Sequence, residues 1–361
     1  MLDRLPPELL DHLLQLAAPP SSTLDEDIER SRRTTLRACA LVCRHVSGVA
    51  QRLLWKDLAL VAERDVAKVQ QALQDEDDRQ RAKSTRTVFV DRKADFGGLE
   101  ALLPHLVGLL ELSINRWYDE EQLSVAALAS LANLRALETH GLTLKGDWAG
   151  ARFPSLVRLR LDGVYLHADA FPLVFRQDAF PALRALELSC LYIQDDEEPA
   201  AGFPTLPLPF LAQLDMVSLY VGDLDVLPPS IFSSSTPVVL EVTSFRLQSP
   251  QLAASVAAVQ PRHIALRSVN SKYPETSATL QQSLSALVRL CSLPSRLSSL
   301  HLPSSLRDIL PDATTFHQLE QACKQHGVEL LWYAGDSDDL FFHFWGYAKT
   351  LKAARQADDE A

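Results

Sequence analysis

The stretch LVRLRL, residues 156–161, places leucines at 156, 159 and 161 and arginines at 158 and 160. Apolar and charged side chains alternate over its last four positions, the two-residue period of a strand with one buried face. LRALEL (183–188), LAQLDM (211–216) and LSSLHL (297–302) repeat the design. Pairs of apolar residues flanking one variable position fall at Leu58/Leu60, Val88/Val90, Leu110/Leu112, Leu159/Leu161, Leu186/Leu188, Leu214/Met216, Leu240/Val242, Ile264/Leu266, Leu300/Leu302 and Leu330/Trp332, with a weaker Leu137/Thr139. Their first members are 22 to 36 residues apart. A unit that short cannot enclose a core alone, so its apolar face must be buried by stacking on its neighbours.

Most of these intervals lie close to the roughly 20–29 residues of a leucine-rich repeat. The expected fold class is therefore α/β, a repeat solenoid over residues 57–347. Helical stretches between strands are expected at 120–134, 277–291 and 314–327, the last stopped by Gly327. Proline-rich FPTLPLPF (203–210) and LPPSIFSSSTP (227–237) read as extended breaks, and residues 348–361 as a frayed tail. Asparagine, which such repeats often use to tie the turn after the strand, stands there only at Asn115 and Asn270, so an irregular array is expected.

The variable position of each pair points away from the core. In order these positions carry Glu111, Glu138, Arg160, Glu187, Asp215 and Glu241, then Ala265, His301 and Leu331. If the strands stack in register, the first six form one largely acidic row with neighbours about 4.8 Å apart. Such a row is a candidate target-binding surface for a basic segment of a partner, with Arg160 relieving repulsion within it. Solubility alone also explains charge at exposed strand positions.

Residues 1–56 have a different pattern. Pro6 and Pro7 suit a helix start, and Glu8 sits in its positive first turn. Leu9, Leu10, Leu13, Leu14 and Ala17 follow at helical spacing. A second helical region, TLRACALVCRHVSGVAQRLLW (35–55), steps through Leu36, Cys39, Cys43, Val46, Ala50 and Leu53. Between them lies a polar insertion at about 19–34, expected to be a solvated loop because it has little to bury. Three short helices cannot enclose all these leucines, so some must face a partner or the rest of the chain.

Composition narrows the function further. The net charge is −11, and residues 1–60 hold eight basic and eight acidic residues, leaving the excess of acid to the remainder. That disfavours nucleic acid, whose phosphates need cationic neutralisation. Five scattered cysteines read as reduced thiols of a cytoplasmic or nuclear protein. Nowhere do about 18 apolar residues run unbroken, so no membrane span is expected. The glycines form no phosphate-binding loop, the ten histidines no His-x-x-x-His pair, and the acidic clusters no calcium loop. No catalytic activity, cofactor or metal is expected.

LPPELLDHLLQLA, then LRACALVCRHVSGVA, then LLW together resemble the F-box family. The matching positions are Leu5, Pro6, Glu8, Leu9, Leu41, Val42, Cys43, Arg44, Leu54 and Trp55. The chain departs from the family at Val46, where an aromatic residue is usual, and in the length of the insertion. The resemblance implies a three-helix module that binds the Skp-type adaptor of SCF cullin-RING ubiquitin ligases, those ten residues making the contact. The expected protein is thus a substrate receptor: adaptor docking by residues 1–56, target capture by the repeats, and ubiquitin-dependent degradation of the target. A scaffold using both modules without a ligase is the alternative.

Overall fold

The structure, a computed structural model, describes residues 5–18, 26–115, 122–167, 170–190, 192–194, 205–220, 231, 236–242, 260–267, 285–289, 296–309, 313–334 and 337–360. The chain divides into two compact units, Met1–Leu183 with Leu191–Asp196, and Arg184–Cys190 with Glu197–Ala361.

The first unit begins with three helices, α1 (Pro7–Ala17), α2 (Glu26–Ala40) and α3 (Arg44–Lys56). Pro6 is the N-cap of α1 and Pro7 its first residue, where a missing N–H costs no helix bond. Leu10 and Leu14 of α1 pack with Leu36 of α2 and with Val46, Val49, Ala50 and Leu53 of α3. Val46, where the family expects an aromatic, is therefore a core residue at 3% exposure.

The insertion corrects the sequence reading. Residues 26–34 are helical, and residues 19–25 lie outside the described residues. Arg32 is 5% exposed and meets Asp57 at 2.9 Å, while Arg33 meets Asp65 at 3.4 Å. A search for apolar periodicity misses such a helix, because here paired charges are what is buried.

The repeats of this unit follow. Strands β1 (Asp57–Leu60), β2 (Thr87–Val90), β3 (Glu111–Asn115), β5 (Ala136–His140) and β7 (Arg158–Asp162) pair in parallel in that order. Leu58, Val88, Leu112, Leu137 and Leu159 form one row across them. Helix α4 (Asp65–Ala72) follows β1. Three-residue strands β4 (Gln122–Ser124), β6 (Thr143–Lys145), β8 (Tyr165–His167) and β10 (Tyr192–Gln194) make a second parallel sheet. That sheet was not anticipated: a strand at 122–124 and a short helix at 125–129 occupy most of the stretch expected to be one helix.

In the second unit, β9 (Ala185–Ser189), β11 (Met216–Tyr220), β12 (Val238–Val242), β13 (His263–Leu266), β14 (Ser299–Pro303) and β15 (Glu329–Tyr333) are parallel and adjacent in order. Leu188, Leu219, Leu240, Ile264, Leu300 and Leu330 form its core row. Helix α5 (Ala313–His326) covers that side with Leu319, Ala322 and Cys323. It ends at Gly327, φ 67°, where the Val328 N–H reaches the Cys323 carbonyl at 2.8 Å. A side chain with a Cβ would be strained at that left-handed turn. The parallel, stacked strand–helix units are those of a leucine-rich-repeat-like α/β fold.

The supposed tail is also corrected. Residues 348–360 continue a 24-residue helix, α6 (Ser337–Glu360). Phe344, Tyr347, Ala348 and Leu351 recur at helical spacing, and Phe344 and Ala348 are buried on the sheet face opposite α5, with Ala185, Met216, Val239, Ala265 and Tyr333. Apolar anchoring at those positions stabilises a charged, alanine-rich continuation that already favours helix.

Candidate functional site

Helix α1 is apolar on two sides. Leu10 and Leu14 point into the helical core, whereas Leu9, Leu13 and Leu16 stand out at 54%, 46% and 72% exposure. Leu41 and Val42, on the turn between α2 and α3, are 88% and 60% exposed. Of eight exposed large hydrophobic side chains among the described residues, these are five. Scattered apolar residues are normal on a surface, but here five of the eight fall within residues 9–42, which makes this module the candidate site.

The residues expected to touch an adaptor fall into three groups. Pro6, Glu8, Leu9, Leu41, Val42 and Arg44 are exposed; Leu5, Cys43 and Leu54 are half-buried; Trp55 is buried. The carbonyl of Trp55 accepts from the Thr85 hydroxyl at 2.8 Å, so this tryptophan serves the interior of its unit. His45 Nε2 lies 3.1 Å from the Leu5 carbonyl and ties the entry of α1 to α3. Leu13 and Leu16 were not named as contact residues. Their signal was in the sequence, as a second stripe at i, i+4, i+7 beside Leu10 and Leu14.

The acidic row does not form as expected. Strand β3 uses Leu112 and Ile114 as its inward pair, so Ser113 aligns with Glu138, and Glu111 aligns with Ala136. In β11 the inward pair is Val217 and Leu219; Ser218 aligns with Glu187, and Asp215 precedes the strand. Both misreadings arose where extra leucines offered an alternative register: Leu211 belongs to the short helix 208–212 that ends the proline-rich break, and Leu214 to the turn after it.

Each acid of the row is engaged by its own unit or buried in it. Arg158 Nη2 lies 3.3 Å from Glu111 Oε1, and Arg160 Nη1 2.8 Å from Glu138 Oε1. His140 Nε2 lies 2.8 Å from the same Glu138 oxygen, and its Nδ1 3.3 Å from Asp162. Burial opposes ionisation of Glu138, but the His140 hydrogen bond and the Arg160 charge outweigh it and hold the carboxyl down at about 2. Burial likewise opposes a charge on His140, yet Asp162 and Glu138 hold its pKa above the ordinary value. In the second unit Glu187 and Glu241 are each 1% exposed. Glu241 accepts from the Ser218 hydroxyl and lies 3.9 Å from Arg267 Nε. Asp215 is held by Lys352 of α6 at 2.6 Å. Asn115 ends β3, and Asn270 lies outside the described residues.

Among the described residues no three histidine, cysteine or acidic side chains come together as a metal-binding group, and no helix is long and apolar enough to cross a membrane.

No protein-family model matches this chain, and no curated protein matches it. Among solved structures it is similar to two internalins, which are leucine-rich-repeat proteins. An internalin C2 from Listeria monocytogenes str. 4b F2365 is 16% identical, over 65% of this chain and 84% of that one, with a TM-score of 0.25. An internalin (inlF) of the same strain is 14% identical, over 76% and 91%, with a TM-score of 0.26.

Proposed function

We propose that this chain is the substrate-recognition subunit of an SCF-type cullin-RING ubiquitin ligase. Residues 1–56 dock the Skp-type adaptor, the repeats hold a target protein, and the target is ubiquitinated and degraded. The chain supplies no nucleophile or base in this reading. It raises the effective concentration of target lysines near a ubiquitin-loaded enzyme carried elsewhere in the assembly.

One observation carries the proposal: the helical module that resembles the F-box keeps Leu9, Leu13, Leu16, Leu41 and Val42 outside its own core. A module evolved only to cap the repeats would turn those side chains inward. The target is read by surfaces other than Glu187 and Glu241, because a side chain that is 1% exposed offers a partner no charge.

Affinity purification of the full chain tests the reading. Recovery of adaptor and cullin together supports it. Adaptor without cullin supports a scaffold that uses the same modules without a ligase, and turnover by the isolated chain would point to an enzyme instead.

A further inference from the structure

Helix α6 lies on the sheet face of the second unit opposite α5, over two histidines of the sheet, and brings a third to them. His263 of β13 is 4% exposed and His301 of β14 is 0% exposed, while His343 on α6 is half-buried. They form a hydrogen-bonded run: His263 Nδ1 to Ser299 Oγ at 2.8 Å, Ser299 Oγ to His301 Nε2 at 2.8 Å, and His301 Nδ1 to His343 Nε2 at 3.0 Å. Phe344 and Tyr347 of α6 close over the run, their ring centroids 5.2 and 5.0 Å from that of His301.

One proton per imidazole satisfies every link, since each contact then has one donor and one acceptor. Protonating both His301 and His343 sets N–H against N–H across 3.0 Å. Few groups nearby can offset a positive charge. Facing His301 are His263 from β13, His343 and Tyr347 from α6, and Ser299 on its own strand. Tyr333 of β15 lies tilted beside His343, ring centroids 5.8 Å apart, and its hydroxyl donates to the Leu266 carbonyl. Glu329 of β15 accepts from the Tyr347 hydroxyl at 3.2 Å; Glu241 is taken up by Ser218 and Arg267, and Asp215 by Lys352.

The geometry points to α6 as an acid-released latch: neutral imidazoles hold it on the sheet, and protonation of the cluster frees it and uncovers the strip of Ala185, Met216, Val239 and Ala265. This inference is independent of the ligase reading. Burial, with the neighbouring His343 and His263, pushes the pKa of His301 down to about 3, and burial also lowers that of His343. A released helix exposes both rings to water, where histidine titrates near 6.5. Docking is therefore unaffected above that value and weakens as pH falls from about 6.5 towards 3, because the released state binds protons that the docked state refuses. His301 alone shifts the equilibrium towards release by about 30-fold at pH 5.

Hydrogen exchange on the full chain, corrected for the intrinsic pH dependence of the chemistry, tests the latch. Amides of residues 343–354 should lose at least about 30-fold in protection between pH 7.5 and pH 5, while those of β12 to β14 keep theirs. The His301→Phe variant should flatten the profile; if it fails to fold, His343→Gln, on the open side of the cluster, should make the fall shallower. Protection of α6 that does not change with pH, loss that is equal in helix and strands, or an unaltered profile in the folded variants would overturn the inference.

Discussion

The helical module at the start of the chain and the repeat unit at its end treat apolar surface in opposite ways. In the first, α1 buries Leu10 and Leu14 and leaves Leu9, Leu13 and Leu16 outside. In the second, the sheet face bearing Met216, Val239 and Ala265 is covered by the chain's own α6, through Phe344 and Ala348. A covered face needs no partner and reports on folding. An uncovered one contributes little to the fold, so the two respond differently to the same truncation.

The largest effects are expected on the covered side. Phe344→Ala removes a fully buried ring and should destabilise the docking of α6 by about 3–5 kcal/mol, read as lost exchange protection in 343–354. Leu36→Ala, at the centre of the helical core, should cost about 2–5 kcal/mol in urea unfolding. Leu13→Ala should change stability by no more than about 0.5 kcal/mol. Equal costs for Leu36 and Leu13 would erase the contrast.

Acidity separates the two units in another way. His140 lies between Glu138 and Asp162, so its pKa is raised, whereas His301 lies among rings and other histidines, so its pKa is lowered. The contribution of His140 is fully present below about 6.5 and fades as pH rises through its raised folded value. That of Glu138 is present above its ordinary 4.5 and fades as pH falls towards about 2. Between pH 6.5 and 4.5 the first unit therefore keeps its clasp while the second loses its latch. In pH-resolved exchange, β5 and β7 should stay protected at pH 5. His140→Gln should remove the weakening of those strands at high pH, the smallest of these effects.

Much of the repeat fold was legible. Every pair from Leu58/Leu60 to Leu330/Trp332 fell on a strand or, at Leu110 and Leu214, began just before one, because alternation and stacking are local demands on the sequence. Register was less so: in LLELSIN (109–115) and FLAQLDM (210–216) two sets of leucines fit the pattern, and only tertiary packing chose between them. The helical reach of α2 was hidden because Arg32 and Asp57 stabilise it as a pair, 25 residues apart. The histidine run was illegible for the same reason, since His343 meets His301 from a helix 42 residues on. On α1, by contrast, both leucine stripes can be read from the sequence, and what decides which is core is the partner helix.

The central claim, that the uncovered leucines of the helical module receive a Skp-type adaptor, is tested most directly by titrating purified adaptor against the full chain and against a variant carrying Leu9→Ala and Leu13→Ala. The account predicts saturable binding by the intact chain, weakened by about 2 kcal/mol or more in the variant, roughly 30-fold in Kd, with the urea unfolding of the repeats unchanged. Equal affinity of the two proteins, or no binding by the intact chain, would contradict it.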